Sequence, residues 1–437
     1  MKPQLSSSSR LFLVAMCVAA TLSLSSAVAQ EKTVNIEKTV KIGVVTFLSG
    51  AASAPFGVPA KNGADILVAA LNAGQLPAPY ATKGIGGGAI ELTYVDEAGG
   101  TTKQVTEYRN LVQRDVDLVI GYISSGDCLA IAPVAEELKK LTVLFDCGTP
   151  RIFEDASYKY VFRTGAMATM DNVAAAMYVT QAKPNIKKIA GINQNYAWGQ
   201  DSWNDFDASI KVLKPGVEVA TAQWPQFLSG QYGTEISTLL SSGADVVHSS
   251  LWGGDLDGFI LQASPRGLFS KSTVLLTAGG TAVEKLGSQI PDGTIIGARG
   301  PFDMFAPDTA LNRWFRKAFQ DKYGVAPTYP AYKMAQAILG VKSAYEKAQA
   351  ANKGKAPSQD QIIAAFENLT FEGPGGTVKM ATGKGHQSVQ GTAYGTVKHD
   401  KGQVTIVDVK TYPADKVTPP DGVKSEAWIK AGFKKPS

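Results

Sequence analysis

The sequence predicts an α/β protein of two lobes, each an open, mainly parallel sheet covered by helices on both faces. Three observations predict it. Short apolar runs of strand length alternate with longer segments whose apolar residues recur at helical spacing. That alternation runs twice, over residues 40–145 and again over residues 187–278. And 437 residues are enough for two to three domains.

The first series has strand-like runs VKIGVVTF (40–47), AIELTYV (89–95), DLVIGY (117–122) and LTVLF (141–145). Helical spacing fills 63–71 and 102–114 between them, and this βαβα order argues for parallel strands with helical crossovers. The second series has KKIAGIN (187–193), VEVATAQW (217–224), ADVVHSS (244–250) and STVLLTA (272–278), with helices at about 200–213, 233–242 and 255–267. GTIIGARGPF (293–302), two longer helices within 309–349, the polar linker ANKGKAPS and a helix at 359–368 follow. A Gly-rich stretch and a terminal hairpin around VKHDKGQVTIV end the chain.

Residues 1–29 read as a cleaved secretory signal: Lys2 and Arg10, the apolar run LFLVAMCVAATLSL, then Ala27-Val28-Ala29 as the cleavage site. The apolar run is shorter than the roughly 20 residues a membrane span needs. Met16 before Cys17 is too large for lipoprotein processing. A periplasmic, soluble protein is expected. Without this segment 41 basic residues face 38 acidic ones. That near-neutral balance, with no basic run, argues against nucleic acid as a partner. Cys128 and Cys147 remain; in an oxidising compartment such a pair reads first as a disulfide, with two free thiols as the other reading. No CxxC or histidine cluster suggests a metal, and no cofactor is expected.

Two strands end alike. Leu118–Gly121 runs into Ser124-Ser125-Gly126-Asp127 and a helical pattern, and the strand at 141–145 runs into Cys147-Gly148-Thr149. Open parallel sheets bind ligands beyond the carboxyl ends of their strands, where strand order reverses. Small hydroxyl residues, glycine and the N–H groups of a helix start suit a carboxylate there. The alternative is that Ser124 or Ser125 only caps the helix.

The runs IGVVTFLSG, ISSGDCLAIAPVAEE, YAWGQD and GHQ together resemble the type I periplasmic binding proteins, in particular the leucine/isoleucine/valine-binding group of ABC importers. The resemblance spans residues 40 to about 410. It implies two Rossmann-like lobes joined by three crossovers, closing like a hinge on a solute in the cleft between them. The crossovers would fall at 163–164, 297–300 and 373–375, so that 39–163 plus 301–372 form lobe one and 164–300 plus 373–437 form lobe two. It implies that Ser125 and Thr149 hold a ligand carboxylate, helped by backbone groups at Cys147 and Gly148. Phe56 and Trp198 would contact the ligand, and Tyr122, Tyr196 and Trp252 are further aromatic candidates. For each aromatic, core packing or a lobe–lobe contact is the plainer reading. The implied partners are a small carboxylate and an ABC permease/ATPase complex, with the receptor acting as a monomer.

Two departures from the family pattern bear on the ligand. Where amino-acid binders place an acid for the ligand ammonium, this chain has Ala278-Gly279-Gly280; Asp127 or Asp255 is the available substitute, and either also serves as a helix N-terminal charge. The disulfide of some relatives is absent because Gly99 and Ser124 stand at its positions. An aromatic acid or a hydrophobic amino acid both remain open as ligand, with the missing acid favouring one without an amine.

An enzyme is not expected. The three histidines form no cluster; His248 ends a lobe-two strand, facing either the cleft or the core. Gly121-Tyr122-Ile123-Ser124 puts isoleucine where a nucleophile elbow needs serine. The glycines at 84–88 precede a strand instead of following one, unlike a dinucleotide loop. A sensory receptor passing its ligand to a signalling partner is the remaining alternative.

Overall fold

The computed structural model describes residues 38–436, so the expected signal segment lies outside the described residues. Strands β1 (Val40–Thr46), β2 (Ile90–Asp96), β3 (Leu118–Gly121), β4 (Thr142–Leu144) and β5 (Val161–Arg163) pair in parallel in the order β2-β1-β3-β4-β5. Strands β6 (Lys188–Ile192), β7 (Glu218–Gln223), β8 (Val246–Ser249), β9 (Thr273–Leu276) and β10 (Ile295–Gly297) repeat the arrangement as β7-β6-β8-β9-β10. In both sheets the chain steps to one side of the first strand and then to the other. The reversal points lie between β1 and β3 and between β6 and β8. These central strands are apolar on both faces because helices cover both: Ile42, Val44 and Val45 of β1 are all fully buried.

Helix ends follow local chemistry. Helix Val58–Ala73 has Pro59 in its first turn and stops at Gly74, whose φ of 67° is left-handed. Thr309 caps helix Ala310–Tyr323 by accepting from the Asn312 N–H, and Ser358 with Gln361 forms a capping box at helix Gln359–Phe366. Helix Tyr329–Ala351 is buried along most of its length in the core of lobe one. It packs on helix Val58–Ala73 where Gly63 lies so close to the Ala331 carbonyl that a Cβ would come within 2.8 Å.

The chain passes between the sheets after β5, after β10, and a third time near Gln390. The expected third crossover at 373–375 is instead the tip of a hairpin between β11 (Thr370–Gly373) and β12 (Gly376–Thr382), with Gly373 facing Gly376. β12 then pairs with β13 (Gln387–Val389), which runs parallel to β5, so residues 373–389 stay with lobe one. Lobe two receives β14 (Thr392–Asp400) and β15 (Gln403–Tyr412), the predicted hairpin, added antiparallel to β10, and then the short helices Ala414–Val417 and Ser425–Lys430. The glycines at 373–376 mark a tight turn, a chemistry that serves hairpins and crossovers alike.

Candidate functional site

The strand ends at the two reversal points face each other. From lobe one come Phe56, Ile123, Ser125, Asp146 and Gly148; from lobe two and its crossovers come Tyr196, Trp198, Trp252 and Arg299; Tyr329 closes the side. These side chains leave about 10 Å3 of room between them.

Of the two serines, one caps the helix and the other faces the second strand end. Ser124 is the cap of helix Ser125–Glu137: its Oγ accepts the Asp127 N–H. Ser125 points across to the next strand end, where its Oγ accepts the N–H groups of Gly148 and Thr149, each at 3.2 Å. Both acceptor positions of that oxygen are thereby used, and its proton is the group left to donate. The turn that presents it is held by Glu97, a fully buried carboxylate accepting from the Ile123 and Ser124 N–H groups. Burial, and then repulsion from Asp127, push the Glu97 pKa well up.

Thr149 lies elsewhere. Its hydroxyl donates to Asp201 of helix Ala197–Leu213 at 2.6 Å, and Arg151 grips the other oxygen of the same carboxylate. Thr149 therefore ties lobe one to lobe two, and it is not among the residues lining the cavity. Cys147 is buried beside the cavity and joined by a disulfide to Cys128, with Cα atoms 6.4 Å apart. Its carbonyl accepts from Arg163.

Gly148 is what lets the lobes meet. A Cβ there would fall 2.4 Å from the ring of Trp198. Trp198 itself is anchored by its Nε1–H to the Ser250 carbonyl at 2.8 Å. Phe56 packs on Trp252 and Tyr329, with ring centres 4.8 and 5.3 Å away. Trp252 donates to the Tyr196 hydroxyl, which leans on Phe227. Tyr122 is not brought into this group. It points into the opposite face of the first sheet, among Tyr108, Leu144 and the disulfide, and its buried hydroxyl has no hydrogen-bond partner.

The charged groups at the site were not singled out in the sequence. Arg299 sits on the second crossover with its guanidinium 4.2 Å from the Trp198 ring centre. It donates to Asp146 and Asp171, one from each lobe, and Tyr329 donates to the other oxygen of Asp146. Burial pulls the Arg299 pKa down, but Tyr329, Asp171 and Asp146 outweigh it and hold the group charged. Burial pushes Asp171 up to about 6 and lowers Lys333, at the back of the cluster, to about 8. The signals were Asp146 closing an apolar strand and the lone Arg299 between Ala298 and Gly300, polar residues where a strand end meets glycine.

The candidate ammonium partners are occupied elsewhere. Asp127 accepts from Thr101 at the start of its own helix, with its pKa raised to about 6 by burial. Asp255 accepts from Gln194, Tyr232 and the Leu228 N–H. His248 lies in the core of lobe two, stacked on Phe206 and bonded through Nε2 to Asn172. Among the described residues no cluster of metal-ligating side chains occurs, and no helix is long and apolar enough to cross a membrane.

Comparison with known proteins agrees with this architecture. The chain is 26% identical over 283 residues to the Leu/Ile/Val-binding protein homolog 3 of Brucella melitensis, covering 64% of this chain and 71% of that protein. Two solved solute-binding proteins of ABC transporters superpose well. One, from R. palustris in complex with benzoate, has a TM-score of 0.71 at 21% identity, covering 85% of this chain and 96% of that one. Another, from Rhodopseudomonas palustris HaA2 in complex with p-hydroxybenzoic acid, has a TM-score of 0.73 at 22% identity, covering 86% and 98%. A leucine-binding protein from Thermotoga maritima has a TM-score of 0.70 at 19% identity, covering 85% and 98%. The family model described as periplasmic binding protein matches residues 39–403; the chain belongs to that family.

Proposed function

We propose that the protein is a periplasmic receptor that captures a small aromatic carboxylate by hinge closure and delivers it, as a monomer, to an ABC importer. One observation carries the ligand class: among the described residues the one acid lining the aromatic cavity, Asp146, already accepts from Arg299 on one oxygen and Tyr329 on the other. An α-amino acid would need a free acid for its ammonium, whereas a benzoate-like anion needs donors and flat apolar walls. The Ser125 hydroxyl and the Arg299 guanidinium are the donors; Phe56, Tyr196, Trp198 and Trp252 are the walls. Gly148 and the backbone at Cys147 bring the second strand end close enough to complete the cradle. With so little room between the closed side chains, a solute is admitted only as the lobes part. The benzoate and p-hydroxybenzoate carried by two structural relatives support this reading. The Brucella relative supports the runner-up, a branched-chain amino acid. Export depends on the signal segment at 1–29, and no catalysis is assigned.

A thermal-shift screen tests the choice. Benzoate and hydroxybenzoates at 100 times their dissociation constant should stabilise the protein by about 2.7 kcal/mol, while leucine, isoleucine and valine do not. The reverse pattern overturns the aromatic-acid reading and installs the amino-acid one.

A further inference from the structure

A second cavity, of about 400 Å3, lies behind the strand end that carries Gly148. Its walls are the segment 150–157, the β12–β13 turn and the C-terminal segment 419–424, which includes Pro419, Pro420 and Val423. Phe153 and Met167 add apolar surface. Of the charged residues that line it, Arg163, at the end of β5, is the buried one among the described residues, with 1% of its surface exposed.

Arg163 is incompletely partnered. Its Nε donates to Gln387, and Nη1 donates to the carbonyls of Cys147 at 2.9 Å and Thr149 at 2.6 Å. Nη2 has no hydrogen-bond partner, and no carboxylate forms an ion pair with Arg163, among the described residues. Its nearest acids act only at a distance and are engaged elsewhere: Glu154 by Ser425, Asp201 by Thr149 and Arg151. A guanidinium taken out of water without a counter-charge is costly, and burial holds this one down to about 9. Lys384 and Lys424 flank the mouth, against Glu154 and Asp421, so the lining carries no excess of negative charge.

We infer that this cavity is a second binding site, for a small organic monocarboxylate, with Arg163 as its anion anchor. The free Nη2 supplies the donor that a carboxylate oxygen needs, and Phe153, Met167, Val423 and the two prolines take the apolar body. The volume lies within the range of small-ligand sites. The same guanidinium holds the carbonyls of Cys147 and Thr149, and the N–H groups of Gly148 and Thr149 in that segment face Ser125 in the cleft. An occupant here therefore touches the cleft cradle through one side chain. This site is independent of the reading of the cleft.

The test is crystallographic, with 4-iodobenzoate soaked into the purified protein and the iodine located by its anomalous signal. An iodine in this cavity, with the carboxylate on Arg163, is the expected result. Ala156→Trp, at an exposed position on the rim, should abolish that peak without disturbing the core. In solution, Ala156→Trp should weaken this second binding event at least tenfold and leave cleft binding in place, and Arg163→Met, which also frees the Cys147 and Thr149 carbonyls, should weaken the second event at least as much. Iodine in the cleft alone, or nowhere, overturns the proposal. So does inorganic phosphate that displaces iodobenzoate at equal concentration, which would make the site one for an inorganic oxyanion. A peak in the cleft reports separately on the proposed function.

Discussion

The hydroxyl of Thr149 donates to the carboxylate of Asp201 at 2.6 Å, from one lobe to the other. With Arg151 on the remaining oxygen, this makes a latch on the closed form. Asp201 is largely buried, so the bond belongs with hydrogen bonds to charged groups, about 1.5–3 kcal/mol. Thr149→Val keeps the shape and removes the donor. It should weaken every ligand by about tenfold or more, because it acts on closure and not on contact.

Ser125→Ala should behave differently. It removes the donor proposed for the ligand carboxylate and strands two buried N–H groups. A benzoate should lose about 1.5–3 kcal/mol while its neutral methyl ester loses less. Calorimetry with acid and ester on both variants separates the two residues. Equal losses of acid and ester in Ser125→Ala would remove that serine from the carboxylate.

Gly148→Ala tests the lobe contact itself. The added methyl would overlap the Trp198 ring, so the lobes could close only by displacing the indole or widening the cleft. Affinity should drop at least tenfold, and small-angle scattering with saturating ligand should show a larger radius than for the parent. Trp198→Ala in the same chain should restore closure, though not the lost stacking.

The strand series was legible because buried parallel strands leave apolar runs of fixed length, and because turn residues punctuate them. Helix Ala168–Ala182 was not predicted. It is buried on nearly every side and rich in alanine, so no polar face sets off a 3.6-residue period. β12 shows the alternation of a strand, Val378 and Met380 inward and Thr377 and Lys379 outward, but glycines on both sides disguised it as a loop. At the site, the Ser125 strand end could be placed from its position after a strand, whereas Phe56 and Trp198 were named only through the family resemblance. Asp146, Arg299 and Tyr329 come from three distant segments and meet only through the crossovers, so their pairing is a property of the fold.

The Cys128–Cys147 disulfide ties the start of helix Ser125–Glu137 to the strand end carrying Gly148. It closes a loop of 19 residues' separation, for which the chain-entropy account gives about 3 kcal/mol. The double variant Cys128→Ala/Cys147→Ala should lose about that much in urea unfolding. It should also bind ligand less tightly, since the two halves of the cradle are no longer joined. Unchanged stability in the double variant would mean that the surrounding core, not the crosslink, fixes this corner.

His248 gives the fold a pH dependence with a defined sign. It is fully buried between Phe206 and Trp203, with Nε2 on Asn172 and no partner at Nδ1. Burial lowers its pKa from 6.5 to about 3. A neutral ring can leave Nδ1 as an unused acceptor, whereas an imidazolium would bury a second N–H without a partner. Below pH 6.5 the unfolded chain takes up a proton that the native ring refuses. The stability it confers is therefore complete above pH 6.5 and lost as pH falls toward about 3, at up to about 1.4 kcal/mol per pH unit. His248→Gln, which keeps a polar group near Asn172 but does not titrate, should remove that slope. Urea unfolding of both proteins between about pH 6.5 and about pH 4.5 should give curves that converge as pH falls. Curves that stay parallel would mean that His248 takes up its proton in the folded state.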